Sequence, residues 1–323
     1  AGKPRLALLG RSAMPAEEPA WLAGVTGQAN IQKALLHEAS EKPSPKELQA
    51  ECRRVLRGRE IRRNLARVEA AGSRVSYHAV DVRDSAAVSN TLEAVRETLG
   101  PITGFVHGAG VLADSLIADK TAAEFDRVYG TKVEGLRALL AATSGDALRG
   151  IVLFSSSTAR FGRKGQVDYA IANEVLNKTA QREAARRQDC KQDCKVLSIN
   201  WGPWDGGMVT PDLRGLFAAE GIEVIGLEVG AEYLLRELAT STGPTEVVVL
   251  GDGSTLPDAT SLPSASTLHA HSVADGAPEL PTAFERELDV ETHPFLSSHV
   301  LNGKAVLPAA IIIEWLGHGA LHG

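Results

Sequence analysis

The chain has 323 residues, enough for about two domains, and its 44% hydrophobic and 23% charged residues are the balance of a globular protein able to bury a core. A formal net charge of −6 gives no reason to expect nucleic acid as a partner, no apolar run approaches the ~20 residues that span a bilayer, and the N-terminus lacks a basic-then-apolar signal pattern. Three cysteines, Cys52, Cys190 and Cys194, make no disulfide framework and point to a reducing, cytoplasmic setting; the last two read as loop residues, and no metal site is expected.

In chain order, short β-branched or leucine-rich runs alternate with helical patterns, the mark of a parallel sheet with crossover helices. Strands are predicted at Arg5–Leu9, Val75–Val80, Gly104–His107, Gly150–Phe154, Val196–Asn200 and Glu246–Leu250. Helical periodicity covers Ala86–Leu99, Ala122–Ala142 and Tyr169–Arg187. Between Met14 and Gly72 the chain is longer than a simple crossover needs. There Leu48, Cys52, Val55, Ile61, Leu65 and Val68 form a buried stripe, and the arginines from Arg53 to Arg67 cover the opposite face. With Glu51, Glu60 and Glu69 among them, those arginines read as a solvated face rather than a site. The expected fold is α/β, a Rossmann-like doubly wound domain over residues 1–251. Residues 252–282, rich in Ser, Thr, Pro, Ala and Gly, read as a flexible linker, and a new domain begins within 283–323.

The most informative stretch runs from Phe154-Ser155-Ser156-Ser157 to Tyr169-Ala170-Ile171-Ala172-Asn173. A serine hydroxyl leaves the end of an apolar strand, a tyrosine opens the next helix, and Asn173 lies one turn beyond on the same face. Two hydroxyls can then converge on one carbonyl oxygen, a geometry for delivering a proton to a ketone while a hydride arrives from elsewhere.

This stretch resembles the active site of the short-chain dehydrogenase/reductase superfamily. The form is that of ketoreductase domains from modular polyketide and polyunsaturated-fatty-acid synthases. Those domains place asparagine, not lysine, one turn after the tyrosine and bring the lysine from an earlier helix. Asn173 fits the first position and Lys132, within Tyr129–Gly135, the second. The resemblance implies a catalytic set of Lys132, Ser156, Tyr169 and Asn173. Tyr169 is the proton donor, with its phenol brought down in pKa by the nearby ammonium, and Ser156 binds the substrate oxygen.

On the cofactor side the resemblance assigns Gly10, Arg11 and Ser12 to the end of the second nucleotide-binding strand, with Arg11 facing a 2′-phosphate. It therefore implies NADPH. Asp81 and Val82 would flank the adenine. His107-Gly108-Ala109-Gly110 would let the backbone approach the nicotinamide ribose, His107 taking no proton-transfer role. Gly202-Pro203-Trp204 would hold the nicotinamide amide, with a mobile lid at about 205–216. Val111-Leu112-Ala113-Asp114, with Phe161 before the tyrosine, leans toward a D-configured hydroxyl product. The first strand of the fold and its glycine-rich pyrophosphate turn are expected to be missing from this sequence, leaving the domain N-terminally incomplete.

His299, Gly303 and Pro308 match His-x-x-x-Gly-x-x-x-x-Pro, which resembles the start of a dehydratase domain of hot-dog α+β fold. There His299 would be the base that removes an α-proton. The implied activity is NADPH-dependent reduction of a β-ketoacyl thioester carried on the phosphopantetheine arm of an acyl carrier protein, beside the other domains of the same synthase. Two other classes stay open at this point: a non-catalytic structural domain of the synthase, and a stand-alone reductase of small ketones.

Overall fold

The computed structural model describes residues 3–14, 16–41, 43–207, 209, 211–240 and 243–252, and short pieces at 288–291, 293, 296, 300–301 and 304–305. The expected dehydratase base His299 and most of the linker lie outside the described residues. The chain divides into two compact units, Ala1–Pro257 and Asp258–Gly323. In the second, β7 (Val300–Leu301) pairs antiparallel with β8 (Lys304–Ala305).

The first unit opens with β1 (Arg5–Gly10), then α1 (Gln28–Glu38) and α2 (Pro45–Ala70). It continues through β2 (Arg74–Ala79), α3 (Ser85–Leu99), β3 (Gly104–His107) and α4 (Ala122–Ala142). Next come β4 (Gly150–Ser156), a short α5 (Thr158–Phe161), α6 (Val167–Asp189) and β5 (Lys195–Trp201). The unit ends with α7 (Pro211–Ala219), α8 (Leu227–Ala239) and β6 (Glu246–Val249). Every predicted strand forms within a residue or two of its expected bounds. The segment before β2, expected to carry one buried helical stripe, holds two helices. Leu22 and Ile31 pack on Cys52 and Val55 to make a small core of their own there. Its longer member, α2, starts at a capping box in which Ser44 and Glu47 satisfy each other's backbone N–H groups.

All strands of this unit run parallel, in two ladders: β1 beside β2, and β3-β4-β5-β6 in that order. No hydrogen-bonded pairing joins β1 to β3 among the described residues. The two ladders nonetheless share a core: Leu9 of β1 and Phe105 of β3 both pack on Val88, Leu92, Ala138 and Leu139 from α3 and α4. On the other side of the break β4 and β5 are apolar on both faces. Leu136, Ile151, Leu153, Leu176 and Val196 form one core; Val152, Leu197, Ile199, Trp201 and Ile225 form the second. Within each ladder the strands are parallel, so their C-terminal ends fall on one side, the place where such sheets carry their chemistry.

Candidate active site

Lys132 comes from α4, a helix started by a second capping box, Thr121 with Glu124. Flanked by Thr131 and Val133, it is itself buried. Its ammonium nitrogen donates to the carbonyl of Phe154 at 3.0 Å. Gly110 stands beside this stem: a Cβ there would lie 3.2 Å from Lys132 Cε and 3.5 Å from Nζ. Gly135, one turn further along α4, lets Val82 and the His107 ring close onto the helix, since any Cβ would press into both.

Tyr169 lies in the first turn of α6, with Asn173 one turn on and fully buried. The Asn173 side chain donates to the Tyr169 carbonyl at 2.8 Å. Lys132 Nζ sits 5.4 Å from the centroid of the Tyr169 ring, and the side chains of Asn173 and Ser156 both favour the ionised phenol. The four residues expected to gather around a ketone oxygen are therefore together. Ser156 closes β4, where its hydroxyl accepts the backbone N–H of Thr158 at 3.2 Å.

The electrostatics differ from expectation at one point. The Tyr169 phenol is pushed above its ordinary range, not below it, because burial outweighs the help of Asn173 and Ser156, and Asp114 adds to the rise. Burial lowers Lys132 to about 7. An amine at that value changes charge near neutrality.

His107 is buried, and its ring meets the Lys132 carbonyl at 2.8 Å. Burial, reinforced by the lysine's charge, lowers it to about 4. It is a neutral strut between β3 and α4, so the ring braces the lysine while the exposed edge falls to Gly108, Ala109 and Gly110.

At the end of β1, Arg11 is exposed, Gly10 is packed by Tyr77, and the Ser12 carbonyl accepts the Tyr77 hydroxyl at 2.7 Å. Asp81 is engaged by Arg83, with a closest approach of 2.7 Å, which together with Arg11 holds its carboxyl below the usual range. Val82 is a core residue against Gly135. Gly202 donates to Val249 at 2.7 Å, Pro203 accepts from Ile225 at 2.7 Å, and Trp204 stacks edge-on to Trp201 at 4.7 Å. Part of the stretch expected to be a lid is α7, and Arg214 there pairs with Asp205.

Behind the tyrosine lies a polar column that the sequence pattern alone does not pick out. The Ser155 hydroxyl lies 2.9 Å from Asn200 Oδ1 and 3.1 Å from the Asn173 carbonyl oxygen, with its single proton to share between them. Asn177 donates to the same Asn200 oxygen at 2.9 Å and accepts from Ser198 at 2.7 Å. Asn200 donates to Glu246 at 2.9 Å, and Arg160 and Gln181 pair with Glu246 at the outer end. One signal was available: Tyr169, Asn173 and Asn177 recur at a spacing of four, which puts all three on one face of α6.

The chain has known counterparts. The sequence profile of the family described as KR domain matches residues 1–206. The chain belongs to the KR domain family. A polyunsaturated fatty acid synthase polypeptide of Thraustochytrium sp. is 36% identical over 97% of this chain, which spans 11% of that protein. Polyketide synthase PksN of Bacillus subtilis is 31% identical over 58% of this chain and 3% of its own length. Among solved structures, the ketoreductase from the first module of phoslactomycin biosynthesis in a Streptomyces species is 29% identical, with a TM-score of 0.52 over 64% of this chain and 44% of that one. An N-terminal ketoreductase from the macrolactin assembly line is 27% identical, with a TM-score of 0.51 over 59% and 37%. The KR match ends near the Trp204 loop, so Lys132, Ser156, Tyr169 and Asn173 lie inside it. No helix among the described residues is long and apolar enough to cross a membrane.

Proposed function

We propose that this KR domain reduces a β-ketoacyl thioester to the β-hydroxyacyl form with NADPH, the acyl chain being carried on the phosphopantetheine arm of an acyl carrier protein within a multidomain synthase. One observation carries the reading: a buried amine 5.4 Å from the ring of a buried tyrosine, beside the serine that ends the neighbouring strand.

The side chains at the strand ends fit a nicotinamide nucleotide. Asn173 Oδ1 and Ser115 Oγ are both buried without a hydrogen-bond partner, a cost that a bound group or water would remove. Gly108 to Gly110 leave backbone open beside Lys132. An exposed guanidinium at Arg11 suits a 2′-phosphate and favours NADPH over NADH. Gly202, Pro203 and Trp204 would border the carboxamide.

When bound, the dihydronicotinamide supplies a hydride to the β-carbon. Ser156 holds the ketone oxygen, and the Tyr169 O–H bond breaks as its proton moves to that oxygen, on which the carbonyl electron pair settles. The ammonium of Lys132 stabilises the resulting phenolate. Asn173 keeps the first turn of α6 in register and offers its free oxygen to whatever returns the proton.

Residues 283–323 we read as part of a dehydratase domain with His299 as its base, on the strength of the His299, Gly303 and Pro308 spacing.

The test is consumption of NADPH with a β-ketoacyl N-acetylcysteamine thioester. Wild-type turnover that Tyr169→Phe abolishes supports the assignment; equal turnover in the two proteins overturns it.

A further inference from the structure

Beside the catalytic set lies an ion pair that the chemistry above does not use. Lys120, at the end of the loop from β3 to α4, and Asp168, in the first turn of α6, meet at 2.8 Å with side chains only 5% and 1% exposed. Each makes a second contact. Lys120 also donates to the Ala113 carbonyl at 2.6 Å, and the other Asp168 oxygen accepts the backbone N–H of Tyr169 at 2.9 Å.

Two further stitches join the same segments. Gln166 donates to Asp114 at 2.8 Å, and the Ser115 N–H donates to the Gly165 carbonyl at 3.0 Å. Residues 113–115 are thereby fastened along 165–169. The loop stands near enough to the phenol for the Asp114 charge to act on it.

Stability alone does not explain burying two charges here. A well-packed apolar pair is as stable or more so, whereas a paired charge with additional hydrogen bonds fixes geometry. An aspartate in the first turn of a helix is ordinary in itself. What is particular here is that its partner reaches in from another segment and holds that segment's backbone.

We propose that Lys120 and Asp168 are positioning residues, whose ion pair sets the 113–115 loop against Tyr169 and so decides which face of a prochiral ketone is presented for reduction. A β-keto group has two unlike arms. With its oxygen held at Tyr169 and Ser156, the wall beside the phenol determines which side each arm takes, and that wall is the clasped loop. The inference rests on the reductase reading above.

The experiment compares wild type with Lys120→Met, Asp168→Asn, the double variant Lys120→Met/Asp168→Asn, and Lys120→Arg. A β-ketoacyl N-acetylcysteamine thioester is the substrate, chiral chromatography of the β-hydroxy product the main readout, and NADPH affinity a second. Lys120→Met is expected to lower the enantiomer ratio and kcat/KM about tenfold each, in line with the cost of small misplacements near a reacting centre. NADPH affinity is expected to hold, and Lys120→Arg to restore much of the ratio. The double variant leaves no unpaired buried charge, so it reads the loop's position even where a single variant misfolds. An unchanged ratio in the folded variants, or a double variant that cannot fold, assigns the pair to stability and overturns the proposal. Wild type that reduces no β-ketoacyl thioester sinks the reductase reading instead.

Discussion

The two ladders of the first unit are built from similar strands and live in different surroundings. In β4 and β5 nearly every residue is buried, because helices and neighbouring strands cover both faces and both edges. In β1 and β2 no residue is fully buried; Leu8 is 37% exposed. On the near edge of the four-stranded ladder Val106 is 53% exposed. Valine and leucine suit the middle of a parallel sheet, so their exposure marks the line where no pairing joins the ladders. Side chain and setting thus contribute separately. The same apolar residue type is buried in one ladder and partly exposed in the other, and it is the buried ladder that ends in Ser156.

That contrast can be broken or sharpened by experiment. The largest effect is expected at the chemistry: Tyr169→Phe should lower kcat about 10³-fold, the scale of a lost general acid, with NADPH affinity retained in a fluorescence titration. Lys132→Met should be similarly inactive yet melt higher than wild type, because the buried amine costs free energy below the ordinary lysine range. Next, Leu197→Ala should destabilise by about 3 kcal/mol, as deletions in packed cores do, whereas Leu8→Ala should cost less than about 0.5 kcal/mol. Parallel urea titrations would decide it, and equal costs would erase the distinction between the ladders.

The acid response should come from the four-stranded ladder as well. His107 holds a folded pKa of about 4 against the ordinary histidine value of 6.5. The unfolded chain therefore binds the extra proton, and the stabilising contribution is complete above about 6.5 and lost as pH falls through 4. The difference is worth about 3 kcal/mol, and His107→Asn should flatten that part of a stability–pH curve. Last comes the polar column. Asn177→Leu should cost about 2 kcal/mol by leaving Ser198 and Asn200 short of partners, with kcat reduced more than KM raised, since the column holds α6 and not the substrate.

Much of this was legible in the sequence. The strands were readable because apolar runs bounded by turn residues leave few options, and the grouping of Lys132, Ser156, Tyr169 and Asn173 because these residues come in a recognisable order with matching strand and helix contexts. Long-range pairing was not. Lys120 and Asp168 are ordinary residues in a loop and a first helical turn, and only the fold shows them meeting. The pairing of Asp81 with Arg83, two residues on, also shows only in the fold. The direction of the Tyr169 shift was missed because a sequence hides the burial, which outweighs the help of Asn173 and Ser156.

Gly110 gives the site an unforgiving tolerance. Its hydrogen atom faces the lysine stem where any other residue would set a carbon 3.2 Å from Cε. Adding that one methyl would nudge the amine by a few tenths of an ångström while leaving every strand and helix as it was. A KR domain of this build could thus keep its architecture intact and fall silent through the gain of a single carbon.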